Sequence, residues 1–260
     1  MSFFVLIVVS VFAGMLGAML GLGGGIIIIP MLTLGFGIPI QTAVATSLVA
    51  VIATSTGGAI SYIRNNKTNI RLGMTLEVAT SVGAIVAGFT IAYFSKENLT
   101  LLFIVILLYT TIHMFFAAIK KSSVGNKETG TEEQITDYKV KNMPLGLGLS
   151  FFAGLFSGYL GIGGGVVTVP TLSLFMGVPL KSATATSNFM IGVTAATGAL
   201  IYFAKGNIMP DITVAVMVGV LIGANIGVKI GAKLKSNVLS YIFVVVLLIT
   251  AGKMIIETFF

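Results

Sequence analysis

The chain has 260 residues, of which 56% are hydrophobic and only 9% charged, far below the roughly one-quarter charged share of soluble domains. That composition excludes a soluble globular protein, and runs such as "YIFVVVLLIT", apolar on every side, exclude a membrane β-barrel with its alternating strands. The net charge of +7 sits on lysines and arginines that flank apolar runs, where it marks topology rather than nucleic-acid binding; the absence of cysteine excludes disulfides, thiolate zinc sites and iron–sulfur clusters.

The first apolar run, 3–20, has no Lys or Arg before it and passes straight into a glycine motif, so it reads as a retained span rather than a signal peptide. Runs at 40–62, 73–94, 98–119, 144–160, 180–204, 211–228 and 237–260 follow, making eight with the first. Each approaches or exceeds the ~20 residues that cross a bilayer core of about 30 Å as helix. The fold class is therefore an all-α integral membrane protein, a polytopic helical bundle. Between the first two runs, "GLGGGIIIIP" at 21–30 interrupts the helix, and "GIGGGVVTVP" at 161–170 repeats the interruption. Glycine frees the backbone and proline removes an amide donor, so the pattern predicts helix, break, short segment, break, helix. The one linker is 120–142, charged and without apolar periodicity; it separates a first transmembrane repeat, 1–119, from a second, 143–260.

Shifted by 140 positions, Phe12–Tyr62 aligns with Phe152–Tyr202 without a gap, and about twenty of about fifty positions are identical. This is an internal duplication. The stretches 24–36 and 164–176 are too short for ordinary spans. Placed as short, protein-shielded crossings with the N-terminus outside, they put Arg64, Lys67, Arg71, the linker lysines, Lys181 and the 229–235 cluster on the cytoplasmic side. The positive-inside bias favours this arrangement, which makes the repeats inverted, with broken helices near the midplane and a cytoplasmic linker.

Broken helices put backbone amides and a positive dipole end at membrane depth, where they can hold an anion. After each break come hydroxyls: Thr42, Thr46 and Ser47 in "QTAVATSLVA", and Ser182, Thr184, Thr186 and Ser187, with Asn188, in "KSATATSNFM". Neutral donors bind an oxyanion without trapping it, which suits a carrier. The candidate substrate site is thus Gly23, Gly24, Gly25, Thr46 and Ser47 with Gly163, Gly164, Gly165, Thr186, Ser187 and Asn188, and Ser187 and Asn188 are expected to line a wet cavity. The bland alternatives are close helix crossing at the glycines and back-bonding of hydroxyls to their own helix carbonyls. The stripe Gly219, Gly223, Gly227 and Gly231, with Ala79, Gly83 and Ala87 opposite it in the repeat, marks close helix packing. Glu77 is expected at the interface near Arg71, with a coupling role as the lesser reading, and the single histidine, His113, is read as a packing residue. Metal-ligand spacing and a nucleophile with its base are both missing, so the chain is read as a non-enzyme without a cofactor.

The doubled "GxGGGxxxxP" element, followed each time by a second proline and "ATS", resembles the sulfite exporter TauE/SafE family, also called the 4-toluene sulfonate uptake permeases. The resemblance spans nearly the whole chain. It implies a secondary carrier of small sulfur-containing anions such as sulfite, sulfoacetate or other organosulfonates, in a bacterial or archaeal cytoplasmic membrane. Implied partners are that anion, membrane lipids and a coupling proton or other ion; nucleic acid is not among them, and the oligomeric state is left open. The rival readings are a passive anion channel and, more distantly, a membrane scaffold.

Overall fold

In hydrocarbon each backbone N–H must find its carbonyl within its own segment, so long apolar runs fold as helices. The computed structural model of the protein describes residues 3–90 and 138–234, with scattered helical residues between 101 and 115 and between 238 and 256. Its helices are α1 (Phe3–Leu20), α2 (Gly25–Pro30), α3 (Ile40–Arg64), α4 (Ile70–Thr90), α5 (Met143–Leu160), α6 (Gly165–Pro170), α7 (Leu180–Ala204) and α8 (Pro210–Lys233). There is no strand among the described residues. All but α2 and α6 are long and apolar enough to cross a membrane. The predicted spans 98–119 and 237–260 lie largely outside the described residues, as do most of the linker and His113.

Small residues set the packing. Along α8, Gly219 lies against Ser10, Gly223 on the Val11 carbonyl, Gly227 on the Met15 carbonyl and Gly231 on Met19, so α1 and α8 run parallel in near backbone contact. α4 and α5 repeat the arrangement: Gly83 rests on the Phe151 carbonyl, Gly154 on the Thr80 carbonyl, and Gly158 against Ala87. This is the close approach that the stripe of small residues predicted. α3 runs parallel to α8, with Thr46 beside Thr213 and Gly57 beside Ala224. α7 runs parallel to α4, with Gly73 beside Phe189 and Gly88 beside Ile201. α3 and α7 cross the centre antiparallel, because Leu48 packs over Gly198 and Asn188 over Gly58. Thus α1, α3 and α8 point one way and α4, α5 and α7 the other. On the outer side of α4, Met74, Val78, Val82, Ile85 and Phe89 form an exposed apolar row, the inside-out pattern of a helix bathed in lipid.

The short segments occupy the predicted stretches 24–36 and 164–176, and Pro30 and Pro170 lie inside them: each is the last α residue, and the chain continues as a wider π turn, Met31–Gly35 and Thr171–Phe175. The missing proline amide is absorbed by widening the turn that follows. The helix stops only at Phe36 and Met176, and the next one starts after Pro39 and Pro179, whose extended ψ of 138° is incompatible with helix. Glu77 also departs from expectation: it is 7% exposed, enclosed beside α7 rather than at an interface.

Candidate functional site

At the first break α1 ends at Leu20, and Gly21, Gly23 and Gly24 take φ of +75°, +74° and +83°. These left-handed values cost L-residues with a Cβ about 1–2 kcal/mol each, and so call for glycine. They reverse the chain so that a Cβ on Gly24 would lie 2.9 Å from the Ala13 carbonyl, back along α1. The second break does the same through Gly161, Gly163 and Gly164, at +67°, +73° and +78°.

The two reversals cross each other. A Cβ on Gly25 would meet the Gly161 carbonyl at 2.8 Å, and one on Gly165 would come closer still to the Gly21 carbonyl. Ser47 Oγ donates to the Gly161 carbonyl and Ser187 Oγ to the Gly21 carbonyl, each at 2.8 Å, so each half's serine holds the other half's break. A Cβ on Gly23 would come within 2.8 Å of Val51 and 3.0 Å of Ile191, and Gly163 also faces both. Val51 and Ile191, equivalent positions in the two halves and both buried, therefore stand between the breaks. The amides of Gly24, Gly25 and Ile26, and those of Gly164, Gly165 and Val166, take no hydrogen-bond partner among the described residues, as the first turn of a helix leaves them.

Asn188 adds an uneven element. Its Nδ2 donates to the Ala18 carbonyl at 2.8 Å and the Thr184 carbonyl at 3.1 Å, while its buried Oδ1 has no partner. Ser55 Oγ donates to the Asn188 backbone carbonyl. The equivalent of Asn188 is Leu48, fully buried and apolar.

The structure thus brings together all six glycines of the predicted site with Ser47, Ser187 and Asn188. Thr46 and Thr186 stand apart: Thr46 Oγ1 pairs with Thr213 Oγ1 at 3.2 Å, and Thr186 Oγ1 accepts from the Asn69 amide at 3.0 Å, tying the central helices to α8 and α4. Neither serine back-bonds to its own helix; both bridge between halves. The expected wet cavity at Ser187 and Asn188 is closed, since both residues are fully buried. The hydroxyl is held by a carbonyl left free where the helix breaks, a partner that sequence spacing could not show.

Near one end of the molecule a shallow cleft is lined by Tyr62, Lys67, Lys181, Thr184, Gly231 and Ala232. The buried Thr184 Oγ1 in it has no partner, and the Thr184 carbonyl is one of those that Asn188 holds. Lys67 and Lys181 flank the cleft as its two cations. Lys181 and Lys67, which the sequence places on the cytoplasmic side as topology markers, here stand at one cleft. Val51 and Ile191 were missed altogether, because nothing distinguishes them from other apolar residues of α3 and α7.

The model of the family described as "Sulfite exporter TauE/SafE" matches residues 6–254. The chain is similar to the "Probable membrane transporter protein YunE" of Bacillus subtilis (strain 168), with 27% identity over 220 residues, covering 80% of this chain and 81% of that protein. It is 30% identical over 203 residues, 76% of this chain, to the "Probable membrane transporter protein MJ0441" of Methanocaldococcus jannaschii, of which 71% is covered. A shorter likeness, 34% over 89 residues and 34% of this chain, reaches 19% of the Arabidopsis thaliana "Sulfite exporter TauE/SafE family protein 6". No solved structure matches the chain. With a family model that takes in both glycine breaks and both halves, and with relatives matched over most of their length, the chain belongs to the sulfite exporter TauE/SafE family of membrane transporters.

Proposed function

We propose that the protein is a secondary carrier of a small sulfur oxyanion or sulfonate, such as sulfite or sulfoacetate, bound where the two glycine breaks cross. One observation carries the reading: the two glycine breaks cross at one buried place, Gly25 against the Gly161 carbonyl and Gly165 against the Gly21 carbonyl, and the first-turn amides from Gly24 to Ile26 and from Gly164 to Val166 take no partner among the described residues. Unpaired buried donors are costly, and an oxyanion is the ligand that satisfies several at once. Ser47, Ser187 and Asn188 add neutral donors beside them. The family's description as a sulfite exporter supports the cargo class.

As packed, Val51 and Ile191 occupy the gap between Gly23 and Gly163, so binding requires α3 and α7 to part. Such a movement would release the Ser47 and Ser187 hydroxyls from Gly161 and Gly21 and turn them to the cargo. The antiparallel register of α3 and α7 supports two halves inserted in opposite senses, the arrangement in which one central site can open alternately to either face. Arg64, Lys67, Arg71, Lys139, Lys141, Lys181, Lys229 and Lys233 gather at the end where α3 and α8 finish and α4, α5 and α7 begin, with Lys205 at the other. By the positive-inside rule the richer end is cytoplasmic, and the membrane is the cytoplasmic one.

The test is flux in proteoliposomes with sulfite, sulfate, thiosulfate and sulfoacetate. A carrier saturates and shows counterflow for sulfite or sulfoacetate. Conductance that keeps rising with the gradient would replace the reading with a channel, and absence of flux with a scaffold.

A further inference from the structure

We propose that Glu77 holds the coupling proton of this transporter, in a pocket of hydroxyls that α4 and α7 build together. The inference rests on the carrier reading above and supplies the ion that drives it. Glu77 Oε1 accepts from Thr194 Oγ1 at 2.8 Å and Ser81 Oγ at 3.0 Å, while the buried Oε2 has no partner among the described residues. Thr80 closes the pocket, donating to the Glu77 carbonyl at 2.9 Å and lying 3.2 Å from Thr194 Oγ1. A carboxyl group with one oxygen twice hydrogen-bonded and the other enclosed and bare presents one vacant place for a proton.

Among the described residues no cation pairs with Glu77. On α4 itself the cation is Arg71, six residues earlier and exposed at the helix start. α7 carries Lys181 near its first turn, Tyr202, whose hydroxyl donates to the Gly158 carbonyl, and Lys205, whose Nζ donates to the Gly88 carbonyl at 3.2 Å. The titratable group of α5 is Tyr159, bonded to Thr90 at 2.6 Å. None of these bonds to Glu77 among the described residues. A metal ion would need a hole ringed by oxygens, whereas the oxygens here stand 2.8, 3.0 and 3.2 Å apart, hydrogen-bonded to one another.

Position makes the site a coupler. Thr194 lies on α7, one turn beyond Ile191 and less than two beyond Asn188 and Ser187, so the helix that senses the carboxyl also carries the residues at the breaks. On proton loss both Thr194 and Ser81 must hold an anion; on proton gain the hold of Thr194 relaxes and its hydroxyl is free for Thr80 or the Met190 carbonyl, 3.3 Å away. The second half has Met217, Val220 and Leu221 where the first has Glu77, Thr80 and Ser81, so each protein has one such pocket.

The experiment compares wild type with Glu77→Gln and Thr194→Val, reconstituted in liposomes with sulfite as the probe anion. Expected is that Glu77→Gln retains sulfite counterflow but loses accumulation driven by a pH gradient, and that Thr194→Val shifts the pH profile of that accumulation. Infrared difference spectra, wild type minus Glu77→Gln, should show one protonated-carboxyl band at neutral pH. Accumulation by Glu77→Gln equal to wild type, driving by a sodium gradient instead, or absence of the carboxyl band would each overturn the proposal. If wild type moves neither sulfite nor sulfoacetate, the carrier reading fails on its own, and the infrared band still decides whether Glu77 holds a proton.

Discussion

Ser47 and Ser187 stand at equivalent places in the two halves and make equivalent bonds, each to the first glycine carbonyl of the opposite break at 2.8 Å. Their immediate neighbours, Leu48 and Asn188, also pack alike, over Gly198 and Gly58, yet one is apolar and the other brings an amide with an unpaired oxygen. Tyr62 and Tyr202 keep the symmetry, donating at 3.3 Å to the Ala18 and Gly158 carbonyls. Glu77 and Met217 break it. The matched groups satisfy carbonyls that both broken helices leave open, a need the duplication presents twice; the unmatched groups answer no such need. Asymmetry in a duplicated fold is therefore the better guide to where a ligand or proton acts.

The largest expected effect tests the matched part. Gly83 and Gly223 are equivalents, and each lies against a backbone carbonyl of the neighbouring half, that of Phe151 or Val11. Ala at either position should cost at or beyond the upper end of the ~1–3 kcal/mol typical of overpacking, since backbone cannot give way as a side-chain tip can. The two variants should lose folded yield in detergent to a similar degree. A tolerant half would show that the parallel pairs α1–α8 and α4–α5 are unequal in solution. Gly24→Ala and Gly164→Ala come next: with φ of +83° and +78° and an opposing carbonyl near 3 Å, each should lose roughly 1–2 kcal/mol to backbone strain before any contact is counted. Thermal unfolding should fall by similar amounts in both.

Much of this was legible beforehand. The spans 40–62 and 180–204 correspond to Ile40–Arg64 and Leu180–Ala204, because no charged residue interrupts them past the first turn and Pro39 and Pro179 mark their starts. The first turn of each break was legible through its glycines. The π turns after Pro30 and Pro170 were not, since a proline states that an amide is missing and not how the chain accommodates the loss. Nor were the partners: a shift of 140 positions says that Ser47 and Ser187 are equivalent, but not that each crosses to the other's half. Glu77 and Thr194, 117 positions apart, meet only because α4 and α7 run parallel.

Smaller than the glycine effects, Ser47→Ala and Ser187→Ala should each cost about 1–2 kcal/mol by leaving a buried carbonyl unpaired. Equal losses of stability with equal losses of sulfite flux would mark both as parts of a common lock. A flux loss confined to Ser187→Ala, read with its stability unchanged relative to Ser47→Ala, would place the cargo on the Asn188 side.

The smallest effect on stability is expected at Asn188→Leu, which makes the second half resemble the first. The substitution removes the bonds to the Ala18 and Thr184 carbonyls, yet it also removes the unpaired Oδ1 and offers an apolar side chain where Leu48 already packs well against the matching glycine, Gly198. Losses and gains of about 1 kcal/mol each should nearly cancel, since the Thr184 carbonyl, within α7, keeps its own helix hydrogen bond. The Ala18 carbonyl keeps Tyr62 as a donor, which limits the damage further. Transport should respond differently: losing a neutral donor to an anion, worth ~1.5–3 kcal/mol, corresponds to about ten- to a hundred-fold in affinity. The measurement is the concentration dependence of sulfite counterflow beside a melting curve. A symmetrised protein that melts and transports like wild type would show that Asn188 serves packing alone, and that the cargo is held by the backbone amides of the two breaks without it.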